Sequence, residues 1–542
     1  MKKNSKYQLS FFEKKAENLF SKAGKNFWPV TLLFFCISVL LMVFYKPQIF
    51  SRPLEHDALF YLIKALEFNN GFWQPIHFQS EGWPLFLAGF LKIFNVENIT
   101  EGMLWTRYIS LVLMAACIFP FALIAKKILG KKNLITALIV FSLCTTFLHN
   151  AAFGNTESLF IFLCLFFVLF LIESREKTSK FLFATAIAAL AWYVRPNGIF
   201  LLIPLIWIGY ENFKSKKLNT RQLLTAILVF MIFVGPHIFL RVYYYGNVFD
   251  FGVNSKYWVD SPAQIWPENI KPMSLISFIS ESGFAEFFSR LIYGIITIFR
   301  QLIQIFGEFW SIFFLLGGVF FALIKKDKQV NILTITVLVF IVGFVPVWQV
   351  YGVPRHLFVL IPFVYLVALR MFVELIGSIK NKNLVMGIFL LWYTAINFPI
   401  ITIMEFNKAP NKFERPVVRD EWIDWTLENV EGNIIIGHKK RVAIYLKQIE
   451  NIGFPGELSE TVNELNFKIY LPEYYLNMEE AWQQFPEKKI KYLFIEEESV
   501  LELPYLQEVY SEKWRSKFKL VKSYNGSADL YFPRMDIFEV RY

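Results

Sequence analysis

Glu55, His56 and Asp57 stand side by side in the stretch 55–94, between the first two long apolar segments, and His77 and Glu81 follow in the same stretch. Charged groups beside apolar runs are costly to desolvate, so a cluster of them marks a site rather than filler. A carboxylate here could deprotonate a hydroxyl or an amine, or bind a metal. Asp57 could equally cap the helix that the apolar period after it predicts. Glu81 precedes Gly82-Trp83-Pro84, where Pro84 suits a first helical turn. It reads as a metal ligand, an acceptor contact or a solvated loop residue. Glu157, in Asn155-Thr156-Glu157-Ser158, opens the fourth apolar segment, where an acid complements a helix dipole or faces a cavity. Arg195 lies in Arg195-Pro196-Asn197-Gly198, and Arg355 in Val353-Pro354-Arg355-His356. A guanidinium fork suits phosphate, and snorkelling to lipid headgroups is the other reading of each arginine. Two arginines with acidic groups nearby fit an anionic lipid substrate better than either set alone.

The elements that must position these residues are membrane spans. Of 542 residues, 55% are hydrophobic, 18% aromatic and only 18% charged, and the mean hydropathy is +0.43. A soluble domain carries about 25% charged residues. The net charge of +11 is not a nucleic-acid footprint. Residues 405–542 hold 19 Lys+Arg and 24 Asp+Glu, whereas the preceding residues hold 36 and 20. The basic excess falls in short segments between apolar runs, as the positive-inside rule requires. Cys36, Cys117, Cys144 and Cys164 all lie inside apolar runs, which argues against a disulfide framework or a cysteine zinc site. Zincin, P-loop, dinucleotide and serine-hydrolase signatures are absent from the sequence.

Eleven spans are predicted at roughly 28–45, 104–125, 133–150, 155–172, 181–194, 198–211, 222–240, 303–324, 330–348, 357–376 and 384–403. The segments 181–194 and 198–211 could also form one broken hairpin. With residues 1–27 as a basic cytoplasmic tail, every inner loop carries lysine or arginine. All six histidines (His56, His77, His149, His237, His356 and His438) then fall on the outer side, together with Glu157 and Arg195. The outer face is therefore the expected working face. Two long outer loops, 46–103 and 241–302, interrupt the transmembrane domain 28–403. Their amphipathic stretches, Ala58–Phe68 and Phe284–Gln304, could lie along the membrane interface.

Residues 404–542 read as an extracytoplasmic α/β domain. Helices are predicted at Asp420–Asn429, Arg441–Gln448, Met478–Phe485 and Leu503–Trp514. Strands are predicted at Asn433–Gly437, Ile490–Ile495, Phe518–Tyr524 and Leu530–Arg541.

In this order the motifs resemble a family. The run is Glu55-His56-Asp57, then Glu81/Pro84/Leu85, then Arg107 with ISLVLMAACIFPFALIAKKILGKK. NTESLFIFL, WYVRPNGIFLLIP, YYYGNVFDF and VPRHLFVLIPF follow. The chain is similar to the polytopic GT-C glycosyltransferases that use polyprenyl-phosphate-linked sugars. The nearest look is to the protein O-mannosyltransferases and the lipid A aminoarabinose transferases. It departs from the former by placing His56 between two acids they hold adjacent, and from the latter at Gly82-Trp83-Pro84, where they show a lysine and two prolines.

The resemblance implies a polytopic α-helical GT-C fold of about eleven transmembrane helices with a C-terminal extracytoplasmic α/β domain. It implies that Asp57 is the base or site organiser. Glu55, His56, Glu81 and Glu157 would build the acceptor or metal region. Arg355, with Arg195 and His356, would hold the donor phosphate. Whether a divalent metal takes part stays open, because families on this scaffold differ in it. The implied activity is an inverting transfer from a polyprenyl-phosphate sugar to a lipid, glycan or protein acceptor, with no nucleic-acid partner. The alternatives are an en bloc oligosaccharide transferase and a lipid-carrier flippase. A flippase calls for polar residues deep in several spans.

Overall fold

Helices carry most of the described residues before 398, because apolar runs with few breakers can satisfy their backbone polar groups only internally. The computed structural model describes residues 26–45, 54, 56–75, 79–96, 99–249, 258, 273–348, 352, 354–397, 425–426, 428–436, 469–470, 477–496, 500, 503–524 and 534–542. The helices are α1 (Phe27–Tyr45), α2 (His56–Asn69), α3 (Gly82–Ile93), α4 (Ile99–Ala116), α5 (Ile118–Ile128), α6 (Leu134–Ser142), α7 (Thr145–Asn150) and α8 (Glu157–Glu173). They continue with α9 (Ser179–Val194), α10 (Leu202–Lys214), α11 (Thr220–Tyr245), α12 (Leu275–Phe306), α13 (Glu308–Val319), α14 (Lys328–Phe344), α15 (Ile361–Ile376) and α16 (Lys382–Asn397).

Local signals set several ends. Asn219 and Gln222 form a reciprocal capping box at the start of α11, and Gly246, at φ 72°, ends that helix in the left-handed region. The Asp327 carboxylate accepts the amides of Gln329 and Val330 at the start of α14.

Among the described residues, seven segments are long and apolar enough to cross a membrane. They are Phe27–Phe44, Glu101–Ile128, Thr220–Tyr245, Leu275–Phe306, Glu308–Lys325, Lys328–Val347 and Pro354–Ile376. The chain is a multi-pass membrane protein, but its segments divide differently from the eleven expected. The predicted span 133–150 is broken at Leu143-Cys144 into α6 and α7. The span expected at 303–324 is cut at Gly307, whose φ of 81° stops one helix and starts the next. Its first residues belong to α12, a 32-residue helix kinked at Gly283 (φ 85°), which extends through what the sequence reads as loop 241–302. Ile276, Ile292 and Ile296 of α12 and Leu224, Ile227 and Ile232 of α11 are exposed apolar side chains suited to lipid.

The stretch Ala58–Phe68 is helical and packs into the protein. Leu62 and Ala65 of α2 are fully buried, with α2 packed on α3 and α4. This helix carries Asp57 at its second position. Helices α8 and α9 pack along each other, α9 packs on α11, and α13 packs on α15.

The C-terminal part forms a five-stranded sheet from β1 (Asn433–Ile436), β2 (Ile469–Tyr470), β3 (Ile490–Glu496), β4 (Phe518–Tyr524) and β5 (Met535–Val540), in the order β2-β1-β3-β5-β4. Strands β2, β1 and β3 run parallel, and β5 is antiparallel to both β3 and β4. The period-two alternation of a strand splits its side chains between two cores. Ile435, Leu493, Ile495, Phe538 and Val540 pack with Met478 and Ala481 of α17 (Met478–Gln484), whereas Ile434, Phe494, Met535 and Ile537 belong to the same buried cluster as the transmembrane helices.

Leu503–Trp514 is not one helix but two 3-10 turns, Pro504–Tyr510 and Glu512–Trp514. Pro504 opens the first without an N–H to donate, and extended Ser511 separates them. Of the predicted helix Asp420–Asn429, the described residues Trp425, Thr426, Glu428 and Asn429 are helical. Arg441–Gln448 lies outside the described residues.

Candidate active site

Asp57 projects from the first turn of α2, and its side chain is 26% exposed. Its Oδ1 accepts a hydrogen bond from Gln79 Nε2 at 2.9 Å, and its Oδ2 accepts one from the Arg355 guanidinium. Arg355 comes from the 3-10 turn Pro354–Leu360 that leads into α15. On its other side Arg355 Nε lies 3.9 Å from Glu157 Oε1. Glu157 is the first residue of α8, and the same oxygen accepts from Arg195 Nη1 at 2.9 Å. Arg195 follows α9 in extended conformation, with its guanidinium 5.7 Å from the Phe160 ring. Two carboxylates and two guanidiniums thus alternate in a balanced cluster drawn from four separate parts of the chain. Tyr61, one turn beyond Asp57 on α2, completes it. Burial first, then the neighbouring Asp57 charge, pushes its phenol well above the ordinary tyrosine range, so Tyr61 stays protonated.

A small cleft opens beside Arg355 and Glu157, lined also by Ser110, Asn150, Phe153, Asn155 and Ser158. Two side-chain donors hold the loop on its rim. Arg107 Nη1 donates to Ala152 O at 2.8 Å, and Trp83 Nε1 donates to Gly154 O at 2.9 Å. Gly154 takes φ +81°, and a Cβ there would stand 2.9 Å from Thr106 Cγ2, so this turn of the loop needs glycine.

The structure does not gather all the acids in one place. Glu81, just before α3, is fully buried and makes its ion pairs with α11. Its Oε2 is 2.7 Å from His237 Nδ1, and its Oε1 is 2.7 Å from the Arg241 guanidinium. A carboxylate only accepts, so His237 presents Nδ1–H to it. His237 and Arg241 are four residues apart, one turn along the same face of α11. Arg241 also donates to the backbone carbonyl of Gln79.

Removing one partner of a buried pair leaves an uncompensated charge and costs about 3–5 kcal/mol. Glu81→Ala is accordingly expected to lower the melting temperature and the yield of folded protein in detergent. An unchanged melt would show that the pair carries no such weight.

Gly82 lets this segment close on α9. A Cβ at Gly82 would stand 2.6 Å from the Tyr193 carbonyl oxygen and 2.8 Å from Val194 Cα, both backbone atoms that cannot turn aside. Gly82→Ala is expected to destabilise by about 1–3 kcal/mol. A melt that matches the wild type would contradict this close approach.

His356, next to Arg355, stacks its ring on Phe344 of α14 at 5.7 Å. His56 begins α2. Glu55, His77 and His438 lie outside the described residues. Among the described residues no group of three or more histidine, cysteine or acidic side chains could hold a metal. The charges of Asp57 and Glu157 are met by Arg355 and Arg195 instead. Sequence reasoning missed Gln79, Tyr61, His237 and Arg241 as site residues. Two polar side chains at helical spacing inside an otherwise apolar helix were the signal that could have found the last two.

Residues 82–239 match the family described as dolichyl-phosphate-mannose-protein mannosyltransferase. The matched segment contains Glu157, Arg195 and His237. The chain is similar in structure to ArnT from Cupriavidus metallidurans bound to undecaprenyl phosphate, with TM-score 0.51 and 9% identity, covering 93% of this chain and 97% of that one. The chain has the GT-C fold. The same GT-C architecture relates it to the Archaeoglobus fulgidus oligosaccharyltransferase tethered to an acceptor peptide (TM-score 0.53, 13% identity, 94% of this chain and 74% of that one). It also relates it to AglB from that organism in complex with an inhibitory peptide and a dolichol-phosphate (TM-score 0.51, 11% identity, 87% and 70%). No curated protein matches the chain by sequence. The GT-C scaffold with its C-terminal sheet is thus the one expected from the motifs.

Proposed function

We propose that this GT-C protein is an inverting glycosyltransferase. It moves a sugar from a polyprenyl-phosphate donor to a lipid, glycan or protein acceptor at the outer face of the membrane. The N-terminus is cytoplasmic and the C-terminal domain lies outside, shaping the acceptor entrance. The observation that carries the reading is the Asp57–Arg355–Glu157–Arg195 chain, in which a candidate base and a candidate phosphate clamp are already in contact.

Without donor, Arg355 is engaged by Asp57 and Glu157. An arriving donor phosphate, with its own oxygens for the guanidinium fork, competes for Arg355 and releases Asp57 Oδ2. Asp57 then takes the proton of the acceptor hydroxyl or amine. The acceptor oxygen or nitrogen forms its bond to the anomeric carbon from the face opposite the phosphate. The bond from that carbon to the phosphate oxygen breaks, and polyprenyl phosphate leaves with the electron pair. Arg355, backed by Arg195, stabilises the departing charge. Glu55, His56 and Glu157 shape the acceptor side, and His356 supports the arginine turn.

The test is donor consumption by purified protein in lipid, using a panel of radiolabelled undecaprenyl-phosphate and dolichyl-phosphate sugars with cell extract as acceptor. Release of free polyprenyl phosphate is expected with one member of the panel. If no member turns over, the transferase reading fails and lipid translocation is the activity to assay.

A further inference from the structure

We infer that Gln79 is the positioning residue that sets the working orientation of Asp57, and that the buried Glu81–His237–Arg241 cluster serves to hold Gln79 in place. The inference rests on the base role proposed for Asp57. The Gln79 side chain is buried, at 8% exposure, and makes one side-chain hydrogen bond among the described residues, from Nε2 to Asp57 Oδ1. Among the described residues its Oε1 is buried without a hydrogen-bond partner. An unpaired buried oxygen is costly, and turning the amide over would set that oxygen against the carboxylate. The amide is therefore oriented for Asp57.

Gln79 belongs to neither a helix nor a strand, so its backbone must be fixed from outside. Arg241 does this at two points. It donates to the Gln79 carbonyl oxygen and pairs with the carboxylate of Glu81, two residues on. His237 holds the other Glu81 oxygen, and both α11 side chains are fully buried. A path of direct contacts thus runs from His237 through Glu81 to Arg241, from Arg241 to the Gln79 carbonyl, and from the Gln79 amide to Asp57. Its value appears when the donor phosphate draws Arg355 away. Gln79 then still holds Oδ1, so Oδ2 faces the acceptor instead of swinging free.

The test compares Gln79→Leu, Gln79→Glu and Asp57→Asn with the wild type, in lipid, on the donor that the wild type consumes. Loss of a group that orients a reacting residue is expected to lower kcat about 10–100-fold. Donor KM should stay within about twofold, and the melting temperature should not move. A readout without turnover is carbodiimide labelling of Asp57, followed by peptide mass spectrometry. The second carboxylate in Gln79→Glu favours the protonated, reactive form of Asp57, so labelling should rise at least about threefold. Wild-type kcat in Gln79→Leu overturns the inference, as does a kcat loss matched by a falling melt and a rising KM, or unchanged labelling in Gln79→Glu. Asp57→Asn separates the two levels. If that variant turns over at the wild-type rate, the base reading itself fails. If it is inactive while Gln79→Leu is fully active, only the role of Gln79 fails.

Discussion

Asp57→Asn is expected to lower kcat for sugar transfer by about 10²–10⁴-fold, the range a positioned general base supplies. The amide keeps the shape of the carboxylate and can still accept from Gln79 Nε2, so the fold should stand. What it cannot do is take a proton at neutral pH. The substitution also removes the charge that engages Arg355 in the empty site. The phosphate clamp is then released in advance, and donor KM should stay level or fall while kcat collapses. This combination separates loss of the base from loss of a binding contact, which would raise KM. Initial rates of polyprenyl-phosphate release across a donor titration, beside the melt of each protein, decide the matter. A variant within about threefold of wild-type kcat would remove Asp57 from the chemistry.

Arg355→Ala should act on the other half of the reaction. Removing a donor aimed at developing charge costs about 10²–10³-fold in rate. In the proposed mechanism the same group also receives the ground-state phosphate, so undecaprenyl-phosphate affinity should fall along with kcat/KM. Arg355→Lys should recover only part of the loss, because an ammonium restores the charge but not the planar fork that reaches Asp57 and Glu157 together. Arg195→Ala should be milder, since among the described residues Arg195 pairs with the cluster through Glu157 and not with Asp57. Binding of undecaprenyl phosphate and donor turnover, measured on the three variants, test this ranking. An Arg355→Ala protein that binds undecaprenyl phosphate as tightly as the wild type would move the phosphate site elsewhere.

The cleft beside Glu157 offers the Ser110 and Ser158 hydroxyls and the amides of Asn150 and Asn155. Ser110 and Ser158 are hydrogen-bonded to each other at 3.0 Å, so a ligand hydroxyl entering there must replace a bond already made.

The membrane-spanning character and the strands β1, β3, β4 and β5 were legible because each depends on near neighbours in the chain, and the GT-C fold was legible as a resemblance carried by the order of the motifs. An apolar run of helical length must satisfy its own backbone in lipid, and an alternating run must split its side chains between two faces. Pro84 was legible for the same reason, since it acts on its own helical turn, whereas the need for glycine at 82 and 154 comes from close approaches that only packing creates. Boundaries were less so. The breaks at Leu143-Cys144 and Gly307, and the extension of α12 into the loop 241–302, follow from backbone conformations that packing selects. The sequence also supplied Asp57, Glu157, Arg195 and Arg355 as chemically able groups. It could not supply their partners. Asp57 and Arg355 are 298 residues apart, and Glu81 and His237 are 156 apart. No periodicity spans such distances. Only tertiary packing decided that Glu81 is buried against α11 while Asp57 and Glu157 share an arginine, because the desolvation cost of each charge is fixed by whichever segment folds over it.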